Sequence, residues 1–82
     1  MAAARVRIPE GLKGLMRSEL EKAIYESALS KEDDLIARRY LIEKVPQIDI
    51  AVELGYERST ISRRMPDIIK SVVFTAEKLK FT

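Results

Sequence analysis

The sequence predicts an all-α fold, a small domain of about five helices, and three observations carry that prediction. No window alternates apolar and polar residues with period two. Several windows place apolar residues three and four apart, the helical period. Pro46, Gly55 and Pro66 fall between those windows, where helices start, turn or stop.

Residues 1–8 form a small basic leader, with Arg5 and Arg7 able to touch nucleic acid, and residues 9–82 form a single helical domain. A first helix opens near Pro9 and runs to about Ala28, with Leu12, Leu15, Met16, Leu20, Ala23, Ile24 and Ala28 on one stripe. Gly11 and Gly14 weaken its beginning. Ser30 reads as the N-cap of a second helix, with Glu32, Asp33 and Asp34 in the first turn, where the helix dipole favours negative charge. This helix extends to about Lys44, and Leu35, Ile36, Arg39, Tyr40 and Ile42 give it a broad packing face. Pro46 disfavours helix at Val45 and marks a third helix, 47–54, which Gly55 ends by supplying a left-handed residue. A fourth short helix runs from Glu57 or Arg58 to Met65, where Pro66 stops or kinks it. The fifth, 67–80, carries Ile69, Val72, Val73, Ala76 and Leu79 on one face.

The composition excludes most chemistry. At 82 residues no second domain fits. There is no cysteine and no histidine, so disulfides, thiolate nucleophiles, the commonest general base and the commonest zinc ligands are missing. Asp33 and Asp34 are better placed as dipole partners than as ligands of a divalent ion, and no glycine-rich nucleotide loop occurs. An enzyme is therefore not expected, and neither is a metal or cofactor. No apolar stretch approaches the ~20 residues of a membrane span, and MAAARVRIPE lacks the apolar centre of a signal peptide, so a cytoplasmic protein without membrane contact is expected.

The net charge of +2 is unevenly placed. Residues 58–82 carry six basic groups against two acids, whereas residues 1–57 carry nine against eleven. Such asymmetry turns the C-terminal part toward a polyanion.

GYERSTISRRMPD, residues 55–67, is where this charge meets a motif. A two-helix unit that pushes one helix into a major groove needs a small residue where the helices cross. It also needs a residue tolerant of positive φ at the turn, and apolar anchors on the inner face of the second helix. Ala51, Gly55, Ile61 and Met65 supply these in order, with Ile50, Leu54 and Tyr56 filling the core around them.

IDIAVELGYERSTISRRM resembles the helix-turn-helix of bacterial regulators, an Ala-x-x-Leu-Gly turn followed by an Arg-Ser-Thr-aliphatic-Ser-Arg recognition helix. With the preceding LSKEDDLIARRYLIEKVPQIDIA it is similar to region 4 of the sigma-70 family and to small sigma-like proteins of phages and mobile elements. The resemblance covers roughly residues 29–65 and none of the upstream sigma regions. It implies a tri-helical DNA-binding core whose helix-turn-helix spans 47–65, with 47–54 supporting and 58–65 reading. Two residues depart from the pattern. Glu57 replaces the usual Ser or Thr N-cap, so either Glu57 caps poorly or Ser59 caps one register later, and Pro66 ends the reading helix early.

With Ile61 and Met65 inward, Arg58, Ser59, Ser62 and Arg63 face outward. Arg63, then Arg58, suits bidentate binding of guanine, and the serines suit base edges or phosphate. Thr60 lies near the junction with the supporting helix, where it suits contact with a DNA phosphate or with the turn. Arg64, Arg38 and Arg39 read as phosphate clamps or as salt-bridge partners of Glu43 and Asp34. Gln47, with the amides that open the supporting helix, suits a phosphate.

The function these residues predict is a sequence-specific regulator of transcription that binds double-stranded DNA. Two rivals use the same fold, a sigma-like adaptor that binds RNA polymerase or another protein, and a phage DNA-packaging or recombination accessory module. The plainer rival is a solvated charged helix at an ordinary helix corner. Tyr25, Tyr40 and Tyr56 read as core or boundary residues, and Phe74 and Phe81 as packing or dimer residues. A two-turn reading helix covers few base pairs, so the C-terminal helix either packs on the first helix or forms a homodimer. A two-fold dimer would read half-sites about 34 Å apart.

Overall fold

Ser30 and Gly55, a cap and a turn residue, fix the frame on which the helices hang. In the computed structural model, which describes residues 8–81, the order is a 3-10 turn (Glu10–Leu12), α1 (Arg17–Glu26), α2 (Lys31–Ala37, prolonged by a π-helical segment Arg38–Ile42), α3 (Gln47–Leu54) and α4 (Arg58–Lys78). The regular secondary structure among the described residues is entirely helical, with four α-helices and no strand. Residues 1–7, which hold Arg5, Arg7 and most of the expected leader, lie outside the described residues, as does Thr82. Ile8, assigned to the leader, packs against the core instead.

The expected first helix is broken. Gly14 takes φ +82°, a left-handed conformation that stops the 3-10 turn, and the chain is extended again at Met16 before α1 begins. The Met16 N–H donates to Glu19 Oε1 at 2.8 Å, which gives α1 its cap. Met16 is thus an exposed cap residue rather than part of the stripe, and Ala28, at φ +53°, lies beyond the helix. Leu12, Leu20, Ala23 and Ile24 are buried as the pattern requires.

Ser30 caps α2 by accepting the Asp33 N–H at 3.2 Å, with three acids in the first turn. The helix then widens, and the Glu43 N–H reaches the Arg38 carbonyl at 3.1 Å, five residues back. Tyr40 and Leu41, one turn after the buried Ile36 and Ala37, enter the core, while Ile42 is half-buried and Leu35 is exposed. Lys44 lies past the helix at φ +61°, and its ammonium donates to the Leu41 carbonyl at 3.1 Å.

Pro66 does not end a helix. The expected fourth and fifth helices are one, α4, about 31 Å long at 1.5 Å per residue over its 21 residues. Pro66 lacks an N–H, so the Ser62 carbonyl loses its helical donor. Both residues are exposed, and water can reach that carbonyl. On the opposite side Ile61, Met65, Ile68, Val72, Thr75 and Ala76 form an unbroken buried stripe past the proline. Each large apolar side chain on it contributes about 1.5–3 kcal/mol by burial, enough to offset the ~3 kcal/mol that an interior proline costs. The register differs accordingly: Ile68 and Thr75 are buried, and Ile69 and Val73 are half-buried.

The N-terminal turns of α4 face α3 and α2, and its C-terminal turns pack on α1 within the same chain. Thr75 is the one polar residue in the described core. Its hydroxyl donates to the Ser71 carbonyl at 2.9 Å and lies 3.0 Å from Ser27 Oγ, joining α1 to α4. Among the described residues no helix is long and apolar enough to cross a membrane.

Candidate nucleic-acid interface

α3 and α4 pack against each other on either side of the Gly55 turn. Ala51 is 2 % exposed where the helices cross, and Ile50, Ile61 and Met65 are buried beside it. At Gly55 φ is +77°, the Gly55 N–H reaches the Val52 carbonyl at 3.3 Å and the Tyr56 N–H reaches the Ala51 carbonyl at 2.9 Å. These two bonds are the paired closure of a Schellman turn. Three residues, 55–57, then separate the helices.

Tyr56 is not in the core. It is 38 % exposed, and its hydroxyl donates to the Glu32 carboxylate at 2.7 Å. Nor does Ser59 cap α4, which begins at Arg58 with Glu57 in the cap position and without a side-chain capping bond. The Glu57 carbonyl accepts the Thr60 N–H at 3.0 Å. Ser59 therefore lies inside the first turn with its side chain outward.

Arg58, Ser59 and Arg63 are exposed along α4, and none has a hydrogen-bond or ion-pair partner among the described residues. Thr60 is half-buried at the junction. Ser62 is exposed and donates to Gln47 Oε1 at 2.9 Å, so the two polar residues expected to meet DNA separately are bonded to each other across the helices.

The other arginines are engaged. Arg64 binds Glu32 at 2.6 Å and Asp33 at 2.5 Å, and its guanidinium lies 5.9 Å from the Tyr56 ring centroid. Arg39 bridges Glu43 and Glu53, and Arg38 binds Asp34 at 2.6 Å. The expected partners Glu43 and Asp34 are thus found, while Glu53, Glu32 and Asp33 are additional ones. Titration follows the same contacts. The Arg64 guanidinium, then the Tyr56 hydroxyl, holds the Glu32 carboxyl below its ordinary value, and Glu32 in turn raises the Tyr56 phenol. Glu53 and then Glu43 stabilise the charged form of Arg39.

The cations of the candidate face therefore divide in two. Arg58 and Arg63 are open to an external anion. Arg38, Arg39 and Arg64 already have carboxylates within reach, and a phosphate would have to displace them. No cluster of acids or other ligands that could hold a metal ion occurs among the described residues.

No family model, curated protein or solved structure matches the chain.

Proposed function

We propose that the protein is a sequence-specific double-stranded DNA-binding regulator in which α3, the Gly55 turn and the start of α4 form a helix-turn-helix. The observation that carries this reading is the presence of unpartnered Arg58 and Arg63 on the outer face of α4, whose inner face is fixed against α3 by Ala51, Ile61 and Met65. A helix of this kind fits a major groove about 12 Å wide, and an arginine fork there reads guanine. The likeness of residues 29–65 to sigma-70 region 4 supports the same reading. Arg63 and Arg58 contact bases, Ser59 contacts a base edge or phosphate, and the bonded Ser62–Gln47 pair meets the backbone as a unit. Arg39 and Arg64 leave the contact set, since their own carboxylates hold them.

Selection from random duplex DNA tests this. An enriched sequence is expected, and Arg63→Ala should weaken binding to it by about 1–3 kcal/mol and relax specificity at one position. The absence of enrichment, or an Arg63→Ala affinity unchanged across salt concentrations, defeats the reading.

One observation favours a second reading, an adaptor that binds RNA polymerase or another protein. Ile48 and Val52 are 45 % and 75 % exposed on α3. Separately, Lys31, Glu32, Asp34, Leu35, Arg38 and Leu54 line an open groove of about 500 Å³. Capture of a protein without DNA, surviving Arg58→Ala and Arg63→Ala, would select it. The C-terminal half of α4 is used within the monomer, so a homodimer would have to form through what it leaves outside, notably Phe74 at 61 % exposure. Solution mass distinguishes monomer from dimer.

A further inference from the structure

The continuity of α4 through Pro66 places Lys70 on the same outer line as Arg63. The two are seven residues apart, which is two helical turns, or about 10 Å along the axis. Lys70 is exposed and has no partner among the described residues. Lys78, two turns further on, is engaged differently, its ammonium 5.8 Å from the Phe74 ring centroid. Arg58, Arg63 and Lys70 are thus the unpartnered cations on α4.

We infer that Lys70 is a DNA-phosphate contact that extends the footprint of α4 past Pro66; this rests on the reading of α4 as a DNA-binding helix. Seated with Arg63 toward the floor of a groove about 12 Å wide, the helix carries its next outward cation to the phosphate wall. The chemistry agrees with the positions. A guanidinium fork suits the base edge, and an ammonium on a flexible stem suits a phosphate as a point charge. Because the helix is unbroken between them, both groups move as one body. Asp67 lies between them on the exposed side, and its carboxylate opposes the same phosphates.

The test is the salt dependence of binding to the selected duplex by the full chain, comparing wild type with Lys70→Ala and Lys70→Gln. Each phosphate contact contributes a slope of about −0.9 to the plot of log K against log salt. Both variants should lose close to that amount. The wild-type advantage should then shrink about 3-fold between 50 and 200 mM salt, and by the same factor on an unrelated duplex. Asp67→Asn should tighten binding to both duplexes. An unchanged slope in the two Lys70 variants overturns the inference, as does a loss confined to the selected sequence, which would make Lys70 a base contact. If wild type binds no duplex, the DNA-binding reading itself fails. If wild type binds and Arg63→Ala loses site preference while the Lys70 slopes stay at the wild-type value, only the Lys70 assignment fails.

Discussion

Arg63 and Arg64 are neighbours in sequence and opposites in circumstance. Arg63 points away from the domain with no partner among the described residues, whereas Arg64 reaches back to Glu32, Asp33 and Tyr56. One residue step turns a side chain by about 100° around a helix, and here that rotation separates a group open to an external ligand from a group that holds two helices together. Residue type therefore does not define the interface. The local supply of carboxylates separates the two, because α2 presents its acidic first turn to the flank of α4 that carries Arg64, whereas no carboxylate pairs with Arg63 among the described residues.

The comparison depends on the inner stripe that orients both arginines, so the largest effect should come from Ile61→Ala. Ile61 is fully buried, and its truncation should cost about 2–5 kcal/mol. Urea unfolding should show a lower midpoint at unchanged slope. Gly55→Ala comes next, because a β-carbon at φ +77° costs about 1–2 kcal/mol. No atom within 4 Å obstructs the added carbon, so the loss should be conformational and should not be relieved by trimming neighbours.

The two arginines themselves should separate by stability. Arg64→Ala should destabilise by up to about 1 kcal/mol, a limit set by the partial exposure of its ion pairs. Arg63→Ala should stay within about 0.5 kcal/mol of wild type. Equal losses in thermal melts would erase the distinction drawn between them. A double-mutant cycle between Arg64 and Glu32 should show positive coupling, which the Arg63–Glu32 cycle should lack.

The smallest effect is one of pH. The Glu32 carboxyl is held below its ordinary value of 4.5, so its ionised form is favoured in the folded chain. Its contribution is present above the unfolded pKa and disappears as pH falls through the lower, folded one. The stability gap between wild type and Glu32→Gln should be steady near neutrality and close in acid, starting below about pH 4.5. A gap that persisted to pH 2 would mean that Glu32 acts through packing.

The parts of this fold legible in the sequence are those with short-range causes. Ser30 caps α2 through its own side chain, Pro46 and Gly55 bound α3, and Ala51, Ile61 and Met65 are buried at the expected spacing. The pairs Arg38–Asp34 and Arg39–Glu43 are also legible, being one helical turn apart. What escaped were contests between a local signal and distant packing. Pro66 argues locally for an end, and only the buried stripe from Ile61 to Ala76 overrides it. The π-helical widening at Arg38–Ile42 has no sequence signature. Partners such as Glu53 for Arg39 and Glu32 for Arg64 lie 14 and 32 residues away, beyond any periodicity. Helical geometry alone leaves Arg64 and Arg39 open between phosphate clamps and salt-bridge partners, and only these distant carboxylates show that both are ion-paired.

The unbroken passage of α4 through Pro66 has a thermodynamic corollary for recognition. A helix that stopped at the proline would leave a two-turn segment free to fray, and any ligand gripping it would have to arrest that motion, at about 1–2 kcal/mol of entropy for each residue ordered. A rod anchored at both ends, by α3 at one and α1 at the other, would meet the DNA proposed above already ordered. The entropy of forming the outer face is then spent on folding, and the proposed binding would need to immobilise only the long side chains at the surface.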